Sequence, residues 1–177
     1  METDERLMAR VALGDESALA PLVERFRGPL YGFLARRAGE ADADDLFQET
    51  WIRVVRSRER FDPARRFSTW LFQIANNLCR DRARRRLVRE RHRIEAQAEA
   101  RGDPALRAAP ALGEHLDVRE RLGRLPERLR EVLVLRYWRD LSEKEIAEIA
   151  GIPQGTVKSR LHAALKALRE QEQGDDV

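Results

Sequence analysis

Residues 141–169, LSEKEIAEIAGIPQGTVKSRLHAALKALR, spell out two helices and the turn between them. Ser142 and Glu145 have the spacing of a capping box, in which each side chain satisfies the other residue's backbone N–H. Ile146, Ile149 and Ala150 follow at helical spacing and face inward. Gly151 suits the left-handed residue that ends a helix, and Pro153 lies near the start of the next. Ala147, Gly151 and Val157 stand where a helix-turn-helix needs a small contact residue, a left-handed turn and a core anchor. At 100° per residue, Val157, Leu161, Ala164, Leu165 and Leu168 gather on one side of the second helix, with Ser159, His162, Ala163 and Lys166 opposite. The second helix of such a unit enters the major groove with its outer residues on base edges. Those four positions and Lys158 form the base-reading and phosphate set, while the free amides at Gly155 and Thr156 suit a phosphate. The plainer alternative is a solvated face with an ordinary surface histidine.

Outward from this unit, helical spacing recurs almost everywhere and no segment alternates apolar and polar residues for long. The chain is therefore expected to be all-α, as two small helical domains joined by a flexible linker, the C-terminal one a helix-turn-helix. Leu7, Met8 and Val11 mark a first helix after a Thr3 cap, with Gly14 as its stop. A long stripe from Leu19 to Leu34 follows, with a bend expected near Pro29. A third helix opens at Asp42 or Asp44 and runs to about Arg60; Ser68 or Thr69 caps a fourth. Residues 94–116 are rich in Ala, with Gly102, Pro104, Pro110 and Gly113 as breakers, and read as a linker. The expected division is 1–93, 94–116 and 117–177. Beyond the linker, Leu125, Leu129, Val132 and Leu133 surround a helix-starting Pro126.

The N-terminal part holds a second unusual segment, FDPARRFSTWLFQIANNLCRDRARRR, residues 61–86. It brings aromatic rings, paired asparagines and an arginine block together, a combination that suits nucleic acid: bases stack on rings, base edges bond to amides, and phosphates attract guanidinium. Trp70 and Phe72 flank the inward Leu71 and read as packing residues. Phe67 and the loop 62–66 are better placed to touch DNA, and Asn76 with Asn77 to cap or read. Net charge is only +3, yet residues 80–93 hold eight arginines against Asp81 and Glu90. Cys79 is the only cysteine, which excludes an intramolecular disulfide and a cysteine-rich zinc site and fits a reducing cytoplasm. The N-terminus has no secretory pattern and no apolar run is long enough to span a bilayer, so a cytoplasmic protein without membrane insertion is expected.

In DADDLFQETWIRVVR, Phe47, Trp51, Val54 and Val55 form a buried stripe, while Asp45, Gln48, Glu49, Ile52 and Arg53 lie on the other face. Acids at a helix start complement its dipole, but an outward Ile52 among polar groups suggests a protein partner with an apolar anchor in a polar rim. DLFQETWIRV, FSTWLFQIANN, a breaker-rich linker and LSEKEIAEIAGIPQGTVKSRLH, in that order, resemble the bacterial RNA polymerase sigma factors of the extracytoplasmic function group. The resemblance implies a transcription initiation factor that binds core polymerase through its largest and second-largest subunits, directs it to promoter DNA and helps to melt it. It further implies no catalytic step or cofactor of its own, and control by an anti-sigma factor. Asp45, Gln48, Glu49, Ile52 and Arg53 would dock on the clamp helices of the largest subunit. Phe61, Arg65, Arg66, Phe67, Ser68, Asn76, Asn77, Arg80 and Arg84 would open and hold the minus ten element. Thr156, Lys158, Ser159, Arg160, His162 and Lys166 would read the minus thirty-five element. The roughly 23-residue linker spans up to about 75 Å when extended, and two turns of DNA extend about 70 Å, so one chain can reach both elements.

Ala163 departs from the family, whose members often place a long polar or basic residue there. Two other functions fit parts of the chain. An unaided helix-turn-helix regulator accounts for the C-terminal domain but for neither Ile52 nor the 61–86 segment. A magnesium nuclease or recombinase would use Asp42, Asp44, Asp45 and Glu49, with Asp45 and Glu49 one turn apart, yet no nucleophile or base accompanies them.

Overall fold

The computed structural model describes residues 2–101, 118–139 and 141–175. Every regular element among them is helical: α1 Asp4–Ala12, α2 Leu19–Ala38, α3 Glu40–Arg56 and α4 Phe67–Arg101, then α5 Val118–Arg124, α6 Glu127–Arg139, α7 Glu143–Ala150 and α8 Gln154–Asp175. Short 3-10 turns at 16–18 and 58–60 complete the N-terminal half.

Local chemistry sets most helix ends. Thr3 Oγ1 accepts the Arg6 N–H at 3.3 Å, and α1 buries Leu7, Met8 and Val11. Proline removes one helix hydrogen bond, and α2 runs through Pro29 as a single helix. Gly39 alone joins α2 to α3, at φ 95° and ψ 157°, a conformation open in practice only to glycine. The third helix therefore opens at Glu40, ahead of Asp42, and ends at Arg56 rather than Arg60. Neither Ser68 nor Thr69 caps the fourth helix: α4 starts at Phe67, whose N–H donates to Glu5 Oε1 of α1 at 3.0 Å. That helix continues to Arg101, so residues 94–101 of the expected linker are helical; residues 102–116 lie outside the described ones.

The N-terminal core is organised around Phe67. Its fully buried ring packs edge-on against Phe26 at 5.3 Å and Phe61 at 5.9 Å, stacks near Trp51 at 6.4 Å and lies 6.3 Å from Trp70. Phe72 pairs with Phe33 at 5.2 Å, one layer further along α4. Rings from α2, α3, the 61–66 loop and α4 thus close over one another. This corrects the expectation that Phe67 is free to meet a base.

In the C-terminal half, the Glu145 N–H donates to Ser142 Oγ at 3.3 Å while the Ser142 N–H donates to Glu145 Oε2 at 3.0 Å, completing the capping box. Gly151 is left-handed at φ 63° and ψ 38°. Val157, Ile146 and Ile149 are buried, and Leu125, Leu133 and Ala164 seed a smaller apolar cluster between α6 and α8. Val132, Val134 and Leu135 of α6, with Ile146, Ile149 and Val157, join the apolar core of the N-terminal helices. The two halves meet where α7 lies on α4 and α6 on α2.

Because Phe67 holds four other rings, Phe67→Ala should lower the unfolding free energy by about 3–5 kcal/mol, read from the midpoint of urea denaturation. A loss below about 1 kcal/mol would mean that the ring does not organise this core.

Candidate nucleic-acid interface

Helix α3 presents two faces. Thr50, Trp51 and Val54 are buried with Leu46, and Phe47 packs partly against the core. On the opposite side Asp45, Gln48 and Arg53 are exposed and Glu49 is half-buried. Ile52 stands among them with 44% of its surface open to solvent. Arg53 Nε donates to Glu49 Oε1 at 3.2 Å, an i,i+4 pair. Arg82 of α4 holds Asp42 at 2.9 Å and lies 3.8 Å from Asp45, fixing α3 against α4. Among the described residues no group of three or more His, Cys, Asp or Glu side chains is gathered to hold a metal ion. The magnesium site imagined for Asp42, Asp44, Asp45 and Glu49 thus has no assembled ligand set.

The 61–86 segment divides into core and surface. Phe61 and Phe67 are buried, Ser68 is half-buried, and Asn77, Arg65, Arg66 and Arg84 are exposed. In the loop, Asp62 Oδ1 accepts the Ala64 N–H at 2.9 Å and the Asp62 carbonyl accepts the Arg65 N–H at 2.9 Å. This small turn points Arg65 and Arg66 outward. Asn76 does not pair with Asn77 as a joint reader: consecutive helix positions are 100° apart, and Asn76 is wholly buried. Its Oδ1 accepts from Arg37 Nη2 at 3.2 Å, and its Nδ2 donates to Glu131 Oε1 at 2.6 Å.

On α8, Lys158, Ser159, His162, Ala163 and Lys166 are exposed together and Thr156 is half-buried at the helix start. Ser159 Oγ donates to the Thr156 carbonyl at 3.0 Å, and Lys166 lies 3.8 Å from Glu170. Arg160 is set apart from this face. It lies only about 40° from Ala164 around the helix, and its Nη1 lies 3.6 Å from Glu131 Oε2.

Glu131 is the residue that helical periodicity did not single out. Its carboxylate, 3% exposed, receives Asn76 Nδ2 at 2.6 Å and Arg80 Nη2 at 2.7 Å, with Arg160 at 3.6 Å and Arg37 Nη2 at 4.0 Å. Arg37 is buried too; its Nη1 lies 2.6 Å from Glu127 Oε1, close enough for ion pairing but too poorly angled for a hydrogen bond. Arg80 also donates to the Ala150 carbonyl at 2.6 Å, at the C-terminal end of α7. Further out, Arg65 pairs with Glu148, and Arg66 Nη1 lies 2.8 Å from Glu145 Oε1. The Ser142 backbone N–H and hydroxyl, with Arg66 adding its charge, hold the Glu145 carboxyl below its ordinary range. Burial pushes the Cys79 thiol up to about 12, so at neutral pH it stays an unreactive thiol. One clue to Glu131 was present: a lone acid heading EVLVL, followed by four buried apolar positions on the same helix.

Two surfaces with the chemistry of nucleic-acid contacts, Asn77 with the arginines of α4 and the outer face of α8, thus sit on one chain with an apolar-centred α3 face. Residues 22–88 match the model of Sigma-70 region 2, and residues 115–168 that of Sigma-70, region 4. The region 2 match covers the half that an unaided duplex-binding regulator left unexplained. The chain is 34% identical over 178 aligned positions to the ECF RNA polymerase sigma factor SigW of Bacillus subtilis, covering 94% of this chain and 95% of that one. It is 36% identical over 171 positions to the RNA polymerase sigma factor CarQ of Myxococcus xanthus, covering 92% and 94%. Among solved structures, CnrH in complex with the cytosolic domain of CnrY superposes with a TM-score of 0.71 at 28% identity, covering 98% of this chain and 99% of that one. The chain belongs to the extracytoplasmic function RNA polymerase sigma factors, transcription initiation factors that bind core RNA polymerase and direct it to promoters.

Proposed function

We propose that each surface performs one step of initiation. The α3 face, with Ile52 as apolar anchor and Asp45, Gln48, Glu49 and Arg53 as rim, docks on the clamp helices of the polymerase's largest subunit. The second-largest subunit supplies the further contact of the bound chain. The exposed Ile52 carries this reading, because solvation accounts for charged residues on an outer helix face but not for a half-open isoleucine at their centre.

Asn77, Arg65, Arg66, Ser68, Arg80 and Arg84 act on the minus ten element, while Phe61 and Phe67 hold the loop and helix from behind. Extruding a base costs a few kcal/mol, which contacts to the flipped base can recover. An amide on the base edge supplies about 1–3 kcal/mol, and arginines on the flanking phosphates make binding salt-dependent. Thr156, Lys158, Ser159, His162 and Lys166 read the minus thirty-five element from α8, with Ala163 giving that face a smooth centre. Covalent chemistry is left to the polymerase, in the cytoplasm; no described helix is long and apolar enough to cross a membrane. An anti-sigma protein completes the set of partners; that the similar CnrH is solved in complex with a second protein chain, the cytosolic domain of CnrY, supports a protein partner for this fold.

Ile52→Asp should weaken binding to purified core polymerase by about 30-fold, the loss expected for a central anchor, with an unchanged circular dichroism spectrum. Unaltered affinity in a folded variant would remove α3 from the docking surface. Asn77→Ala should slow promoter opening by about tenfold or more while leaving closed-complex formation within about twofold, since the base contact forms only after extrusion. Permanganate reactivity of the melted thymines separates the two steps, and equal slowing of both would contradict the assignment.

A further inference from the structure

Gly155, Ser159 and Ala163 follow one another at single-turn spacing on α8, lie within about 80° of each other around the helix, and are all exposed. Glycine is a poor helix former, and nothing within the chain calls for one at 155. Its φ is not positive, and an added Cβ would meet nothing beyond its own helix within 4 Å. Ser159 is folded down, its Oγ donating to the Thr156 carbonyl at 3.0 Å. Arg160, the long side chain bordering this line, is drawn aside toward Glu131 at 3.6 Å. Lys158 and His162 stand exposed on the other border, and Lys166 beyond Ala163 leans toward Glu170 at 3.8 Å. A helix shaped in this way comes closer to the surface it lies on than one lined with long side chains.

The reading part of α8 lies within the region 4 match. A methyl group offers neither donor nor acceptor, so Ala163 cannot sense the hydrogen-bonding pattern of a base pair. The apolar feature of a base edge in the major groove is the C5 methyl of thymine. We propose that α8 selects an A·T pair in the minus thirty-five element by seating the thymine methyl against Ala163, with Gly155 and the folded Ser159 allowing the close approach that this contact needs. This inference rests on the reading that the outer face of α8 lies in the major groove of that element.

Ser159 sharpens the choice. With its proton committed to Thr156, the hydroxyl oxygen presents lone pairs alone, so it accepts from an exocyclic amine, that of adenine or of cytosine. Guanine is best held by a bidentate Arg or Lys, and position 163 supplies neither. Burying one methyl group is worth about fourfold in affinity, enough to rank one base above the others at a single position.

Purified core polymerase with this chain, transcribing sheared genomic DNA, yields start sites whose shared upstream sequence defines the minus thirty-five element. Each thymine of that element, on either strand, is then replaced by deoxyuridine, which lacks only the C5 methyl. Anisotropy of the fluorescein-labelled promoter duplex reads the affinity of the holoenzyme. One replacement should weaken binding about fourfold, and Ala163→Gly should abolish that difference while leaving the other positions unchanged. Ala163→Arg should move the preference at the same pair to guanine by about tenfold, and it decides the matter should Ala163→Gly fray the helix. Gly155→Ala should raise the melting temperature of the free chain yet weaken holoenzyme binding about fivefold or more, an opposition that a merely structural glycine would not produce. The proposal is overturned by an element in which no thymine methyl matters, by a methyl effect that survives Ala163→Gly or Ala163→Arg, or by wild-type affinity in Gly155→Ala. Lys158→Ala tests the underlying reading. Recognition unaltered by both Lys158→Ala and Ala163→Arg removes α8 from the element and the methyl contact with it; weaker binding by Lys158→Ala, with no effect of any deoxyuridine, removes the methyl contact alone.

Discussion

A carboxylate at 3% exposure must find partners, and Glu131 on α6 finds them on three other helices. Its hydrogen-bonding and ionic contacts come from α4 and α8, and Arg37 brings in the end of α2. Deleting one partner of such a set costs about 3–5 kcal/mol, because a charge is left buried and uncompensated. Replacing the whole set by apolar residues costs far less, so stability alone does not account for the ions. Their value lies in specifying where the helices meet. Purely apolar surfaces of the same size would bring the halves together without fixing their register.

The same contacts connect packing with function. The α3 face proposed to dock is unobstructed, since Ile52 and its rim face solvent. Part of the proposed DNA surface is engaged within the chain, because Arg65, Arg66 and Arg80 are paired with Glu148, Glu145 and Glu131. The outer face of α8 remains open at Lys158, Ser159, His162 and Lys166.

Local codes were readable in the sequence, and long-range ones were not. The capping box of Ser142 and Glu145, the left-handed Gly151 and the Val157 anchor each depend on neighbours within a few residues, and each stands where spacing put it. The α3 faces follow from a single helical period. Phe67 looked available because arginines and a breaker-rich loop precede it; the rings that bury it come from positions 26, 51 and 61. Asn76 looked like a reader because its partner is 55 residues away on α6. Arg160 flanks the buried side of α8, a distinction of 40° that residue type does not reveal. In the linker, the weight given to Pro104, Pro110 and Gly113 obscured the helix-forming run before Gly102, through which α4 continues to Arg101.

The closed arrangement is open to direct measurement in solution. Nitroxide labels on Glu59→Cys and Lys144→Cys, one in each half and both at exposed positions, report the separation of the halves by electron double resonance. The native Cys79 is buried with its thiol kept protonated, so it does not compete for label. The free chain should give one narrow, short distance, set by the packing of α7 on α4 and α6 on α2. A broad or long distribution in the free chain would show that Glu131 does not hold the helices together as described.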